Sequence, residues 1–384
     1  MQNSIPYVFL FLLLFIFTFE VNTVNYTGMR TNYNNERLII IFFTLLIFWG
    51  LRGFISTDWV YYYSFYNDLD TSRSLNSAAN LNWEKGFVLL NYIAKGVNCN
   101  YFVFQFCNTL FDILVLVSFF FKNQPKRVIL CFLFYFLFAG GGIEINLLRN
   151  SKAIMLFLLS LDYIGKRKIA KYILINLLGC FFHISALIYI LILPYFYIKI
   201  SQSFIKIFFL IGIVIYCFQI QLFSGIVSLI LKHTYSGRIA DLVWRYITNA
   251  SSKGLSIGGI ERIVTMLVFM RCQKKVLLKY PHMEIYYRLF YIYFFLNFYC
   301  SEIIIIPARL GILFVCSYWI LYPAIYSVLN INKKKLFLFF LFIYGMLLVT
   351  TTYSHIINKY TFCFNEVDSY KTKSILVNEA LHKK

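Results

Sequence analysis

The sequence predicts an all-α, polytopic integral membrane bundle, and three observations carry that prediction. The 384 residues are 60% hydrophobic and 21% aromatic but only 14% charged, against about half apolar and about a quarter charged in an average soluble domain. One soluble core could not hide this much Phe, Ile, Leu and Tyr. The apolar residues come in blocks, several of them approaching the ~20 residues needed to cross a bilayer, rather than in helical stripes or strand alternation. The blocks are punctuated by short basic clusters: Lys122-Lys126-Arg127, Lys166-Arg167-Lys168-Lys171, Lys274-Lys275-Lys279 and Lys333-Lys334-Lys335. A soluble enzyme, a disordered chain and a coiled coil are excluded, as is a β-barrel, which would show alternating segments of ~10 residues.

About eleven to twelve spans are read near residues 5–22, 38–51, 101–121, 128–140, 151–165, 169–183, 185–198, 204–222, 261–273, 285–302, 308–330 and 336–353 of a single membrane domain, 1–384. The block from Ile5 to Phe19 has no basic n-region and no small-residue cleavage site after it, so it reads as the first span rather than a signal peptide. The net charge of +20 does not indicate nucleic acid, because the cations lie in inter-span clusters that mark cytoplasmic loops. With those clusters inside, the loops 52–100, 140–150, 223–260 and 303–307 face the other side. This parity requires residues 169–198 to form two short arms turning near Gly179 to His183, and it puts the tail 354–384 outside.

Cysteine and histidine carry no metal signature. The nine Cys include no C-x-x-C and mostly sit in apolar blocks, and the five His are scattered. No metal and no cofactor is expected.

Ionisable groups beside apolar blocks are the candidates for chemistry, because a charge at the bilayer centre costs at least ~2.5–3.5 kcal/mol. On the external side these are Arg52 and Asp58 in LRGFISTD, Glu84 in NWEKGF, Glu144 and Arg149 in GGGIEINLLRNSKA, His183 in FFHISAL, and Glu302 and Arg309 in SEIIIIPARLG. The 223–260 loop adds Lys232, Arg238, Asp241 and Arg245. Arginines at such positions also serve as ordinary headgroup anchors, but three sharing a face with a histidine and carboxylates point to a site. Arginine suits pyrophosphate because its planar fork binds paired oxygens and stays charged. Asp112 and Asp162 lie within apolar blocks with no partner evident in the sequence.

Taken in order, short motifs resemble those of the EpsG family of Wzy-like polysaccharide polymerases. They are R-G-x-x-x-x-D with a following Tyr (Arg52, Gly53, Asp58, Tyr62), E-x-G (Glu84, Gly86), an R-Q-x-x-A-like start of a span (Arg149, Ala153), F-H-x-S-A-L (Phe182, His183, Ser185, Ala186, Leu187), and a late Arg followed by an aromatic (Arg309, Tyr318). Asn150 stands where the family carries Gln, and Ser56 where it carries the Gly of G-x-D. The resemblance implies a metal-independent glycosyltransferase in the bacterial cytoplasmic membrane. It would join undecaprenyl-pyrophosphate-linked oligosaccharide units on the extracytoplasmic face, for O-antigen, capsule or exopolysaccharide. His183, Asp58 or Glu84 would be its base, and Arg52, Arg149 and Arg309 would bind the pyrophosphate. Its partners would be membrane lipid, a chain-length regulator and a flippase, with no nucleic acid. Two other readings of the same residues are another lipid-linked sugar transferase, such as an O-antigen ligase, and a flippase. A flippase would show a repeat between its halves, and none is visible.

Overall fold

The computed structural model describes residues 2–19, 33–70, 83–222, 256–303, 305–364 and 370–382. The 223–260 loop, with Lys232, Arg238, Asp241 and Arg245, falls outside the described residues except for its last five positions. Apart from one isolated bridge, Arg52 to Phe362, the described regular structure is helical. In chain order the helices are α1 (Ile5–Phe17), α2 (Tyr33–Gly50), α3 (Trp59–Asp68), α4 (Lys85–Gly96), α5 (Tyr101–Asn123), α6 (Val128–Asn146), α7 (Leu148–Gly165), α8 (Ile169–Phe182) and α9 (Leu187–Leu191). They continue with α10 (Gln202–Cys217), α11 (Ile257–Lys279), α12 (Glu284–Phe298), α13 (Ile305–Arg309), α14 (Cys316–Val328), α15 (Ile331–Thr352) and α16 (Tyr370–His382).

Each apolar block read from the sequence contains a helix among the described residues. Among the described residues, three helices (α5, α6 and α15) are long and apolar enough to cross a membrane, and a fourth span results if the pair Ile306–Leu313 and Cys316–Val328, bent by 56°, counts as one. The arms read at 5–22, 169–183, 185–198 and 204–222 are shorter apolar helices. Together these helices make the chain an integral membrane protein. Boundaries are set locally by side-chain caps. Asn100, Ser201, Ser256 and Asn330 accept from the backbone N–H three residues on, at 2.8, 3.2, 3.1 and 3.1 Å, and so satisfy donors that the first turn leaves open.

The chain divides into two compact units: Met1–Leu191 with Leu329–Lys384, and Ile192–Val328. In the first unit the expected turn at His183 is present. The Tyr172 hydroxyl donates to the Tyr189 carbonyl at 2.6 Å, so the chain doubles back, and Tyr189 stacks on Phe157 of α7 with centroids 3.7 Å apart. Gly179 permits the close return, since a Cβ there would stand 3.2 Å from the Ala186 methyl.

Asp112 and Asp162, unpaired in the sequence reading, acquire partners. Asp112 of α5 receives Lys152 Nζ of α7 at 2.7 Å, with the two side chains only 3% and 5% exposed. Asp162 binds Lys166 at 2.9 Å and also Lys122, joining the basic ends of α5 and α7.

The opposite end of this unit is built from both termini of the chain. Asn3 and Tyr7 donate to the Ser354 and Asn358 carbonyls at 3.1 and 3.0 Å. The strand-like stretch after α2 pairs with the tail through Gly53 N to Thr361 O at 2.8 Å, Cys363 N to Leu51 O at 2.9 Å and Ser56 N to Ile357 O at 2.8 Å. Tyr370 of α16 stacks on Tyr63 and hydrogen-bonds Ser64 at 2.6 Å. The tail therefore lies at the same end as the first long loop. In a cysteine-free background, Lys371→Cys should react with a membrane-impermeant maleimide in intact cells, whereas Lys126→Cys should react only after permeabilisation. The reverse pattern would invert the topology.

Candidate active site

The segment between α2 and α3 is held by hydrogen bonds that leave Asp58 half-exposed. Arg52 is buried, with Nη1 donating to the Trp49 carbonyl and Nη2 to the Glu144 carbonyl at 2.6 Å. Gln105 in turn donates to the Arg52 carbonyl at 2.8 Å. Arg52 is thus a strut among α2, α5 and α6, its fork spent on protein carbonyls. Four residues on, Ser56 sits at φ +67°, the left-handed region that costs a side-chain-bearing residue roughly 1–2 kcal/mol. Asn146 compensates: its Nδ2 donates to Ser56 Oγ at 2.9 Å, and its Oδ1 faces the Thr57 and Asp58 N–H groups at 3.4 and 3.5 Å. The Thr57 hydroxyl donates to Asp58 Oδ1 at 2.8 Å and orients the carboxylate.

Glu84 and Arg149 meet directly. Glu84 precedes α4, Arg149 lies in the first turn of α7, and Arg149 Nη1 forms an ion pair with Glu84 Oε2. The indole of Trp83 covers the guanidinium, 4.5 Å from ring centroid to Cζ, a cation–π arrangement worth roughly 0.5–2 kcal/mol. Beneath lie Phe65, Phe87 and Tyr62, with ring centroids 4.9, 5.5 and 5.9 Å from Trp83. The Tyr62 hydroxyl donates to the Asn146 carbonyl at 3.2 Å. Arg149 Nε has no hydrogen-bond partner among the described residues although the side chain is half-buried. Gly86 is needed for this assembly, because a Cβ there would fall 2.7 Å from the Phe181 carbonyl at the end of α8.

His183 follows that same end of α8. The Ser185 N–H donates to His183 Nδ1 at 3.2 Å, and Ser185 Oγ lies 2.7 Å from the same nitrogen. These two contacts fix the orientation of the ring at the turn. Ser185 also donates to Asn150 Oδ1 at 3.0 Å, linking the histidine to the residue after Arg149.

The first unit thus gathers Asp58, Glu84, Arg149 and His183 at one end, through Asn146, Gly86 and Asn150. Arg52 lies beside them but is enclosed. Arg309 belongs to the second unit, where it is exposed at the end of α13. Sequence reasoning did not single out Asn146 or Lys152, and Trp83 read only as one of the interface aromatics of the 52–100 loop. Only Lys152 left a signal: Asp112 in mid-span calls for a cation, and Lys152 is the first basic residue inside an apolar block after it. Among the described residues, no group of three or more His, Cys, Asp and Glu is placed to hold a metal ion.

Ser56→Gly removes a strained side chain but also its hydrogen bond to Asn146, whereas Ser56→Val keeps the strain and loses the bond. The glycine variant should therefore stay within about 1 kcal/mol of wild type, and the valine variant should lose about 2 kcal/mol or more. Unfolding midpoints in detergent compare the two; equal stability would show that the left-handed turn does not matter.

A family model described as the EpsG family matches residues 37–365. No curated protein and no solved structure matched the chain. The match spans both units and every residue of the site just described, so the chain belongs to the EpsG family, a family of Wzy-like polymerases.

Proposed function

We propose that this protein is a polysaccharide repeat-unit polymerase. It transfers a growing glycan from undecaprenyl pyrophosphate onto a single lipid-linked repeat unit, on the extracytoplasmic face of the bacterial cytoplasmic membrane. The product is an O-antigen, capsule or exopolysaccharide, and a flippase and a chain-length regulator are the natural partners. The observation that carries the reading is the state of Arg149. Glu84 grips one edge of the guanidinium and Trp83 covers one face, while Nε is left without a partner. An arginine immobilised in this way at the start of a span is preorganised to donate to pyrophosphate oxygens, and it need not be ordered when the substrate arrives.

In the proposed reaction an acceptor sugar hydroxyl attacks the anomeric carbon of the donor. The new C–O bond forms as the bond to pyrophosphate breaks, and the hydroxyl proton passes to a carboxylate. Asp58 fits that role best. Glu84 is engaged with Arg149, and His183 is engaged through Nδ1 with Ser185. Asp58 has one oxygen held by Thr57. Arg149 stabilises the departing pyrophosphate. Arg52 holds the first loop in place.

Deletion of the gene should collapse the surface glycan ladder to single repeat units, and wild-type protein should restore it. Asp58→Asn should lower polymerisation by about 10²–10⁴-fold, and Arg149→Lys by about 10²–10³-fold, with membrane abundance unchanged. An intact ladder in the deletion strain would overturn the polymerase reading. Loss only of the finished polymer's attachment, with chain lengths unchanged, would assign the protein as a ligase. A normal ladder with Asp58→Asn would remove Asp58 as the base.

A further inference from the structure

The second unit contains a polar cluster that the reading above does not use. Ser256 caps α11, and its hydroxyl lies 3.1 Å from that of Tyr216. This places Glu261 and Arg262 in the next turn, near the end of α11 remote from Lys274, Lys275 and Lys279, and so near the external side. Both side chains are only partly buried. The Thr265 hydroxyl donates to Glu261 Oε1 at 2.6 Å and contacts the Tyr322 hydroxyl. Arg262 Nε donates to the Tyr293 hydroxyl at 3.2 Å, with Cζ 6.0 Å from that ring. Tyr318 stands close enough to interact electrostatically with both charges. Among the described residues Nη1 and Nη2 of Arg262 make no hydrogen bond, and Glu261 and Arg262 form no ion pair with each other.

Next to this cluster a span is broken. Residues Ile306–Leu313 and Cys316–Val328 meet at 56°, and Gly311 at the break lies against Asn297 and Tyr293, where a Cβ would approach Asn297 Nδ2 to 3.2 Å. Irregular backbone at membrane depth is tolerated where it is buried in protein or lines a polar cavity, and broken helices of this kind build substrate sites in other membrane proteins.

We propose that Glu261, Arg262 and Tyr293 form a saccharide-binding site of the second unit, which holds the sugar hydroxyls of the lipid-linked repeat. A carboxylate accepts from adjacent hydroxyls, a guanidinium donates to their oxygens, and a tyrosine ring offers an apolar face with a polar edge. An anion site alone would not place a carboxylate beside the arginine. The proposal rests on the polymerase reading for the identity of the sugar, but its test does not depend on catalysis.

The full chain in lipid nanodiscs is titrated with the free oligosaccharide released by mild acid from the lipid fraction of cells lacking the protein. Wild-type protein should bind. Glu261→Gln and Arg262→Lys should each weaken binding at least tenfold, since neither restores the lost acceptor or the planar fork. Tyr293→Phe, which removes one hydroxyl and leaves the packing, should weaken it two- to fivefold. Lys275→Ala, at the other end of α11, should bind as wild type does. Wild-type protein that fails to bind, or Glu261→Gln, Arg262→Lys and Tyr293→Phe all binding as tightly as wild type, overturns the saccharide site. The glycan ladder of the deletion strain reports separately on polymerisation, so the two readings fail independently.

Discussion

The ion pair between Lys152 and Asp112 is the interaction on which the first unit depends. Both groups are almost fully enclosed, and losing either would strand a charge at a cost of about 3–5 kcal/mol. The pair fixes the rotation and depth of α7 against α5, and Lys152 also donates to the Asn108 carbonyl at 2.9 Å. One turn earlier on α7 stand Arg149 and Asn150. Their direction is therefore set from inside the bundle, by a contact that never reaches the substrate. A second layer works beside it: Arg52 donates to the Glu144 backbone, and the Tyr135 hydroxyl donates to the Glu144 carboxylate at 2.7 Å. Together these bonds join α2, α5, α6 and α7.

Helix α6 pays for this arrangement with a break. Phe138 and Ala139 leave helical geometry, Ala139 reaching φ +73°. The glycines that follow make the break possible. A Cβ on Gly140 would stand 2.4 Å from the Tyr135 carbonyl, and Gly141 admits the hydroxyl of Tyr353. The chain then resumes as one short turn that delivers Glu144 inward and Asn146 toward the first loop. An unbroken helix would carry Asn146 on another face, and the Ser56 turn would lose the amide that satisfies it.

Several motif residues that look chemical in the sequence are there for packing. Gly86, Gly179 and Ala186 let α4, α8 and the turn at His183 approach one another, and Ala153 of α7 lies beneath Gly179, with its Cα 3.7 Å from where a Cβ would stand. Arg52 belongs with them, as a conformational strut. The chemistry is left to residues that the packing brings to the end of the unit. His183 shows how fine that control is, because Ser185 holds its ring and Asn150 holds Ser185.

The sequence by itself determined the fold class and located the long apolar helices, and it assigned a sidedness to the loops. Those follow from local composition: an apolar block must be helical to satisfy its own backbone in lipid, and Lys and Arg between blocks mark one side. It also marked Asp58, Glu84, Arg149 and His183, because ionisable groups beside apolar blocks are costly and so stand out. Only the tertiary structure decided which of them meet. The pairing of Arg149 with Glu84 spans 65 positions and that of Asp112 with Lys152 spans 40, distances over which composition and periodicity carry no information. The same holds for the difference between Arg52 and Arg149. Both follow or begin an apolar block and look alike in the chain, yet one is enclosed by carbonyls and the other is half-buried between Glu84 and Trp83. Burial is a property of what packs around a residue, and the residue's own neighbours in sequence do not set it.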